Sequence, residues 1–498
     1  MAGVLPRIVR NLKDEVVLRL PILPSRYLSV GSRPLVDKAV EDGELRVFVV
    51  AGEVSGDTIG SRLMASLKKL CPVPVRFSGV GGSMMAKEGL ESLFPIEDIA
   101  VMGIWELLPH LNNFRVKLKK SIEDVLCFQP HVVVTVDSKG FSFRLLKQLR
   151  GNVNRPLSIT ISACISLMHK STGRKCGEMV FAARCNQQGK NYPVHYHYVA
   201  PSFWAWKGGE ARLRGLANFV DHIFCILPNE DTVCKSNGVD ATFVGHPILE
   251  DVLELNSGKQ PHGWRIQKDC AYFRSKYAVP SDATVISLLP GSRLQEVSRM
   301  LSIFTKTIEL IKESFPKLLT VIHVAPNQHV ENYINEVTQK WPGPIVLIPG
   351  GNLHLKYCAF SASKVALCTS GTVAMELLLG RLPCVVAYRA HLLTEWIIKY
   401  KAKIPYMSLP NILMDSAIIP EALFQGCTAT NLSSMLMELM NNKALQEEQI
   451  VSAEKVMRLL TPSKQVMNYL EEQDGKWNSA TFTPSMIAAS TMLCYVKN

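Results

Sequence analysis

Between Val47 and Glu106 the chain sets two glycine-bearing turns at the ends of apolar runs, in the order a nucleotide-type α/β domain requires. Val47–Ala51 is apolar throughout and breaks into Gly52-Glu-Val-Ser-Gly-Asp57, after which a helical pattern runs through Ser61–Leu70. A second run, Val75–Gly79, ends in Val80-Gly-Gly82. Continuous apolar runs suit strands covered on both faces, as in parallel sheets. Open α/β sheets bind ligands at the carboxyl ends of such strands. Glu53, Ser55 and Asp57 are therefore placed to touch a substrate rather than to fill a core.

The same grammar continues down the chain. Further strand-like runs are His131–Val136, His195–Val199, His222–Leu227 and Thr242–Val244, then Thr284–Leu289, Leu319–Val324, Ile345–Ile348, Lys364–Cys368 and Pro383–Tyr388. Helical patterns such as Val373–Leu379 follow several of them, which is βαβ logic with right-handed crossovers. The polar stretch Leu253–Ser275 separates the two sets and reads as a boundary. With 498 residues to distribute, two α/β domains with parallel sheets are expected, over 45–255 and 276–498. Residues 151–185 have neither period and read as an insertion.

Charge narrows the partners. Part of the net +12 lies in the leader, residues 1–44, where Arg7, Arg10, Lys13, Arg19, Arg26 and Arg33 precede all but two of the acids, Asp14 and Glu15. That leader reads as a transit peptide, mitochondrial rather than plastid because serine is scarce. The remaining basic residues are dispersed without a nucleic-acid module, which favours phosphorylated substrates or an anionic membrane surface over nucleic acid. The 13 cysteines include no Cys-x-x-Cys pair, so neither a zinc site nor a disulfide framework is expected.

Three strand ends carry candidate chemistry. Asp137 follows His131–Val136 and opens onto the crevice of Glu53, as a general base or as a cap of the next helix. Leu288-Leu-Pro-Gly-Ser-Arg293 delivers Arg293 at a helix start, where a guanidinium and backbone N–H groups suit phosphate. Ser370-Gly371-Thr372 makes a turn small enough for phosphate to approach, with Glu376 four residues on. Trp204 and Trp206 line a pocket or simply pack. The segment Val101–Leu108 is apolar on too many sides for a free surface helix and is either buried or a lipid-docking face. His246, without a second ligand at metal spacing, reads as a hydrogen-bonding loop residue.

Taken in order, these motifs resemble the lipid-A-disaccharide synthases, glycosyltransferases of the GT-B type with two facing Rossmann-like domains. The resemblance rests on Ala51-Gly-Glu-Val-Ser-Gly-Asp57, Gly79-Val-Gly-Gly82, Ala100-Val-Met-Gly-Ile-Trp-Glu106, Tyr198–Trp206, Phe243-Val-Gly-His-Pro247 and Leu289-Pro-Gly-Ser-Arg293. Ser370–Glu376, Ser408-Leu-Pro-Asn411 and Pro420-Glu421 to Gln425 complete it. It implies transfer of glucosamine from UDP-2,3-diacylglucosamine to the 6-hydroxyl of 2,3-diacylglucosamine 1-phosphate, with inversion, giving a β-linked tetraacyl disaccharide 1-phosphate and UDP. By that resemblance Asp137 is the base and Arg293 neutralises the departing diphosphate. Ser370, Gly371, Thr372, Glu376, Asn411 and Gln425 bind UDP or shape its pocket, and Glu53, Ser55 and Asp57 line the acceptor side. No metal or other cofactor is implied; a peripheral-membrane location and a homodimer are. The family commonly places a second carboxylate where this chain has Gly140. That departure, with the 151–185 block, leaves an alternative: an impaired form that binds UDP-sugar or acylated lipid without turnover.

Overall fold

The computed structural model describes residues 34–99, 111–153, 193–256, 266, 269–462 and 483–495. Residues 1–33 of the expected leader, the apolar segment 101–108 and residues 154–185 lie outside the described residues. The rest of the leader, expected to extend to residue 44, carries a helix, Leu35–Asp42, whose Leu35 and Ala39 are buried in the first lobe, so the fold begins before the expected boundary. Among the described residues, twelve strands form two six-stranded parallel sheets. The first comprises β1 (Leu45–Ala51), β2 (Val75–Val80), β3 (Val132–Val136), β4 (Val194–Tyr198), β5 (His222–Cys225) and β6 (Ala241–Phe243). The second comprises β7 (Thr284–Leu289), β8 (Leu318–His323), β9 (Ile345–Ile348), β10 (Val365–Thr369), β11 (Cys384–Tyr388) and β12 (Glu421–Leu423).

Strand order fixes where ligands go. It is β2-β1-β3-β4-β5-β6 in the first sheet and β12-β11-β10-β7-β8-β9 in the second. Chain direction across each sheet reverses once, between β1 and β3 and between β7 and β10, and such reversals open the crevice in which α/β sheets bind ligands. The four loops at those crevices begin at Gly52, Asp137, Pro290 and Ser370. Glu53, Asp137, Arg293 and Ser370–Thr372 stand on them, with Ser55, Asp57 and Glu376 in the first turn of the helices that follow; Asn411 and Gln425 lie elsewhere. The strands β1, β3 and β10 are buried almost throughout, as their largely apolar sequences require.

The lobes share one apolar cluster rather than merely touching. It runs from Val47, Val134 and Tyr198 of the first sheet through Leu289, Tyr357 and Phe360 to Met457 and Met492. The closing helix Pro484–Leu493 packs on the first-lobe helix Val54–Leu70, so the carboxyl-terminal segment returns to the lobe where the chain began. There Glu250 accepts from Ser485 N and Oγ at 2.8 and 3.0 Å, and Ser66 Oγ lies 2.9 Å from Ser485 Oγ. A second tie is made by backbone: Lys207 N donates to Lys401 O and Lys403 N to Ala205 O, each at 2.9 Å. The stretch expected to be a polar boundary carries a short helix, Cys270–Lys276, whose Phe273 is buried.

Candidate functional site between the lobes

Where the two crevices meet, Arg293 Nη2 lies 2.5 Å from Glu53 Oε1. The strand β7 ends in Pro290-Gly291, and Gly291 adopts φ 122, a conformation that favours glycine; an added Cβ would also meet Glu296 Oε2 at 2.4 Å. That turn starts the helix Leu294–Ile311 with Arg293 as its N-cap. Glu296 accepts from Ser292 N at 3.3 Å and holds the turn. Burial raises the Glu53 pKa; Arg293 opposes this, and the charges of Asp137 and Glu296 add to it. Burial works against the Arg293 charge too, but Glu53 and Glu296 outweigh it and hold its pKa above the ordinary value, with Asp137 contributing. Asp137, Glu53 and Arg293 therefore act on one another electrostatically across the lobes.

The backbone around Asp137 is held in an unusual state. Asp137 and Ser138 both adopt left-handed φ, at 50 and 44. So do Val199 after β4, at 76, and Asn229 after β5, at 66. Four non-glycine residues at the ends of three adjacent strands share a conformation that costs on the order of 1–3 kcal/mol each. It is most unfavourable for a β-branched residue such as Val199. Tyr198 O accepts from Asp137 N at 3.0 Å and Ser142 Oγ donates to Asp137 O at 2.7 Å, which fix the turn. Gly52 is the facing condition: a Cβ there would fall 2.0 Å from Ser138 Cβ. Gly140 is exposed, and a Cβ there would meet only Arg144 at 3.6 Å, so the position has room for a side chain.

Other candidate residues divide into those facing the cleft and those holding it. Asp57 is buried, its oxygens accepting from Gly82 N, Met84 N and Met85 N at 2.8–3.0 Å. It binds the Gly81–Gly82 turn rather than facing outward. Asn411 is fully buried and exchanges hydrogen bonds with Ile419, while its Nδ2 donates to Glu421 Oε1 at 2.8 Å. Glu421 also accepts from Met407 N and Ser408 N, and Ser370 Oγ donates to Met407 O at 2.9 Å. These contacts brace the 407–411 loop against the Ser370 turn. Gly371 adopts φ 149 with open space around it, so there the backbone angle, not room, favours glycine. Glu376 pairs with Lys356, Thr372 and Gln425 are exposed, and Ser55 stands half-buried in the first turn of Val54–Leu70.

A hollow of about 220 Å³ lies between Gly371-Thr372 of the second lobe and the ends of β4, β5 and β6 in the first. Two buried polar residues border it that the sequence alone did not assign to the site. Glu230 accepts from Trp204 Nε1 at 3.0 Å and Leu227 N at 3.3 Å, and burial lifts its carboxyl to about 7 despite both bonds. His246 Nδ1 accepts from Ile248 N at 3.2 Å; burial holds the ring neutral, with its pKa pushed down to about 4. Trp204, expected to line a pocket or to pack, is thus a hydrogen-bond donor to Glu230. Among the described residues no group of three or more His, Cys, Asp and Glu side chains gathers as a metal site.

Two facing Rossmann-like lobes, with an acid and an arginine from opposite lobes meeting in one cleft, define the GT-B architecture. The chain belongs to the lipid-A-disaccharide synthetase family, whose sequence profile matches residues 47–159 and 179–473. It is 56% identical over 487 residues to the probable mitochondrial lipid-A-disaccharide synthase of Arabidopsis thaliana, covering 97% of this chain and 98% of that one. It is 36% identical to the lipid-A-disaccharide synthase of Rhodospirillum centenum, over 84% of this chain and 90% of that one. Among solved structures, UDP-GlcNAc 2-epimerase from Neisseria meningitidis, bound to UDP-GlcNAc, superposes with TM-score 0.50 at 11% identity, over 86% of this chain and 100% of that one; the likeness concerns fold. The family profile leaves 160–178 unmatched, a narrower block than the 151–185 expected to be inserted.

Proposed function

We propose that the protein is an inverting hexosyltransferase of lipid A biosynthesis, joining UDP-2,3-diacylglucosamine to 2,3-diacylglucosamine 1-phosphate, and that it works in the mitochondrion. The observation that carries the mechanism is the Glu53–Arg293 bridge, which brings both crevices to one point. UDP lies along the Ser370-Gly371-Thr372 turn, and Arg293 takes up the negative charge that grows on the diphosphate as the glycosidic bond breaks. Asp137, on the opposite lobe, accepts the proton of the 6-hydroxyl as that oxygen attacks the anomeric carbon from the far side. With Arg293 engaged by the diphosphate, Glu53 is freed to orient the acceptor beside Asp137. Direct displacement inverts the anomeric centre and leaves no sugar on the enzyme. Asp57, Asn411 and Glu421 shape the loops, and Gln425, exposed after β12, reaches the UDP.

A peripheral membrane location is part of this reading. Leu392, Trp396 and Tyr400 project from the helix Leu392–Lys401 with about two-thirds of each exposed, and the two rings stack 5.8 Å apart. Lys207 Nζ sits 5.2 Å over the Tyr400 ring, with Lys399 and Lys401 beside it. Aromatic and basic side chains mixed in this way suit an anionic bilayer surface. No described helix is long and apolar enough to cross a membrane.

The test is a mass-spectrometric assay of tetraacyl disaccharide and UDP, with both diacylated substrates and purified protein. Wild type turns over, and Asp137→Asn loses about 10²–10⁴-fold in kcat with an unchanged melting temperature. Turnover of Asp137→Asn at the wild-type rate would remove the base from this scheme.

A further inference from the structure

The hollow beside the Gly371-Thr372 turn has a definite chemistry. Its walls are mostly hydrocarbon, from Val199, Ile226, Leu227, Leu409 and Ile412. At about 220 Å³ it is smaller than the roughly 300–1,000 Å³ of pockets that enclose a whole ligand, so it takes one portion of a larger molecule. Beside the hydroxyls of Ser202 and Thr372, its border carries two buried polar groups able to donate, His246 and protonated Glu230. His246 Nδ1 already accepts the Ile248 N–H, which places the proton of the neutral ring on Nε2. That Nε2 is buried and has no hydrogen-bond partner among the described residues, although leaving a buried donor unmet is costly. Both Glu230 oxygens accept from Trp204 and Leu227, so the proton it carries for part of the time near neutral pH has no further use within those bonds. Donors set in hydrocarbon suit a carbonyl oxygen attached to an alkyl chain.

The loop that carries His246 is rigid. Its backbone N donates to Leu460 O at 3.1 Å, and a Cβ on Gly245, at φ 91, would meet Pro462 at 2.7 Å. Val199, which also lines the hollow, is held in its left-handed conformation by a 3.0 Å bond from its N–H to Phe224 O. The hollow is thus pre-shaped, and its second-lobe border is the turn on which the nucleotide is proposed to lie.

We propose that the hollow seats an acyl linkage of the sugar nucleotide, whose carbonyl oxygen accepts from His246 Nε2–H while the apolar walls cover the first carbons of the chain. This rests on the function proposed above and deepens it: His246 is a specificity residue that distinguishes an acylated donor from bare UDP.

The experiment is calorimetric titration of the full chain with UDP and with UDP-2,3-diacylglucosamine. His246→Ala is expected to weaken the diacylated donor about five- to tenfold, the range for one neutral hydrogen bond, and to leave UDP affinity unchanged. His246→Gln, whose amide reaches the place of Nε2, is expected to recover most of that loss. Unchanged affinity for the diacylated donor in His246→Ala, or an equal loss for UDP, would overturn the proposal. Should His246→Ala fail to fold, Leu409→Trp fills the hollow from its other wall. It is expected to lose the diacylated donor at least tenfold while still binding UDP, and normal donor binding would be as damaging. A wild-type protein that binds UDP but gains nothing from the acyl groups overturns the function proposed above as well. A wild-type protein that prefers the acylated donor, with His246 and Leu409 variants that keep the preference, overturns the acyl-linkage site alone.

Discussion

Gly52 is the residue on which the acid end of the cleft turns. Its missing side chain lets Ser138 approach, and Ser138 with Asp137 then occupies the left-handed region at the end of β3. In Gly52→Ala the new Cβ would lie 2.0 Å from Ser138 Cβ, so one of the two loops must move. Overpacking of this kind costs about 1–3 kcal/mol. Misplacing a reacting group by about 1 Å costs on the order of 10²-fold in rate. Gly52→Ala is therefore expected to lower the melting temperature by a few degrees and turnover about a hundredfold, while UDP, held by the other lobe, binds normally. A variant with wild-type turnover would show that the Ser138 approach is incidental. Gly52, Asp137 and Arg293 could be read from the chain because each sits next to an apolar run. Glu230 and His246 could not, because their interest lies in burial and in a hydrogen bond made or missing. Asp57 and Asn411 carry a related lesson: polar residues inside a ligand-binding motif can be there to tie down backbone.

Elements were legible in proportion to their apolar content. Eleven of the twelve described strands overlap runs read from the sequence; most are continuous because both faces are covered, while β2 and β4 alternate with Arg76, Ser78, His195 and His197. The exception is β12, Glu421–Leu423, three residues opening on a carboxylate that braces Ser408 and Asn411. The helix Leu392–Lys401 is the element whose outward face is least explained by packing, since Leu392, Trp396 and Tyr400 all project into solvent. If it meets a bilayer, replacing Trp396 and Tyr400 together by Glu removes two apolar contacts and adds two charges that anionic lipid repels. Burying such a side chain contributes about 1.5–3 kcal/mol. Partition onto vesicles with anionic headgroups is then expected to fall at least about tenfold, with UDP affinity and melting temperature unchanged. Equal sedimentation with vesicles of both forms would place the membrane contact elsewhere.

At the scale of the whole molecule, protons set the limits of stability. Burial pushes His197, His222 and His323 down to about 3 and His246 to about 4, so each ring stays neutral in the folded chain. A depressed histidine contributes stability above its unfolded value of 6.5, and that contribution is lost as pH falls toward the folded value. By about pH 5 each ring costs roughly 2 kcal/mol and the four together roughly 8. Glu230 has the opposite sign: lifted by burial from 4.5 to about 7, it favours the fold below 4.5 and loses that as pH rises through 7. Acidification from about pH 8 to 5 returns only roughly 2–3 kcal/mol through Glu230. The carboxyls of Glu53, Glu250, Asp251 and Glu296 are also raised, by burial first, and act in that same direction. The four histidines outweigh Glu230, and their combined effect is comparable to the whole stability of a domain, about 5–15 kcal/mol. Thermal denaturation is therefore expected to show a fall in Tm between pH 7 and 5. His323→Gln, which keeps a group able to bond Ser287 but cannot titrate, should recover the roughly 2 kcal/mol that one ring contributes to it. A Tm that stays level over that interval, or a His323→Gln curve parallel to wild type, would mean that the buried rings take up protons without unfolding the lobes around them.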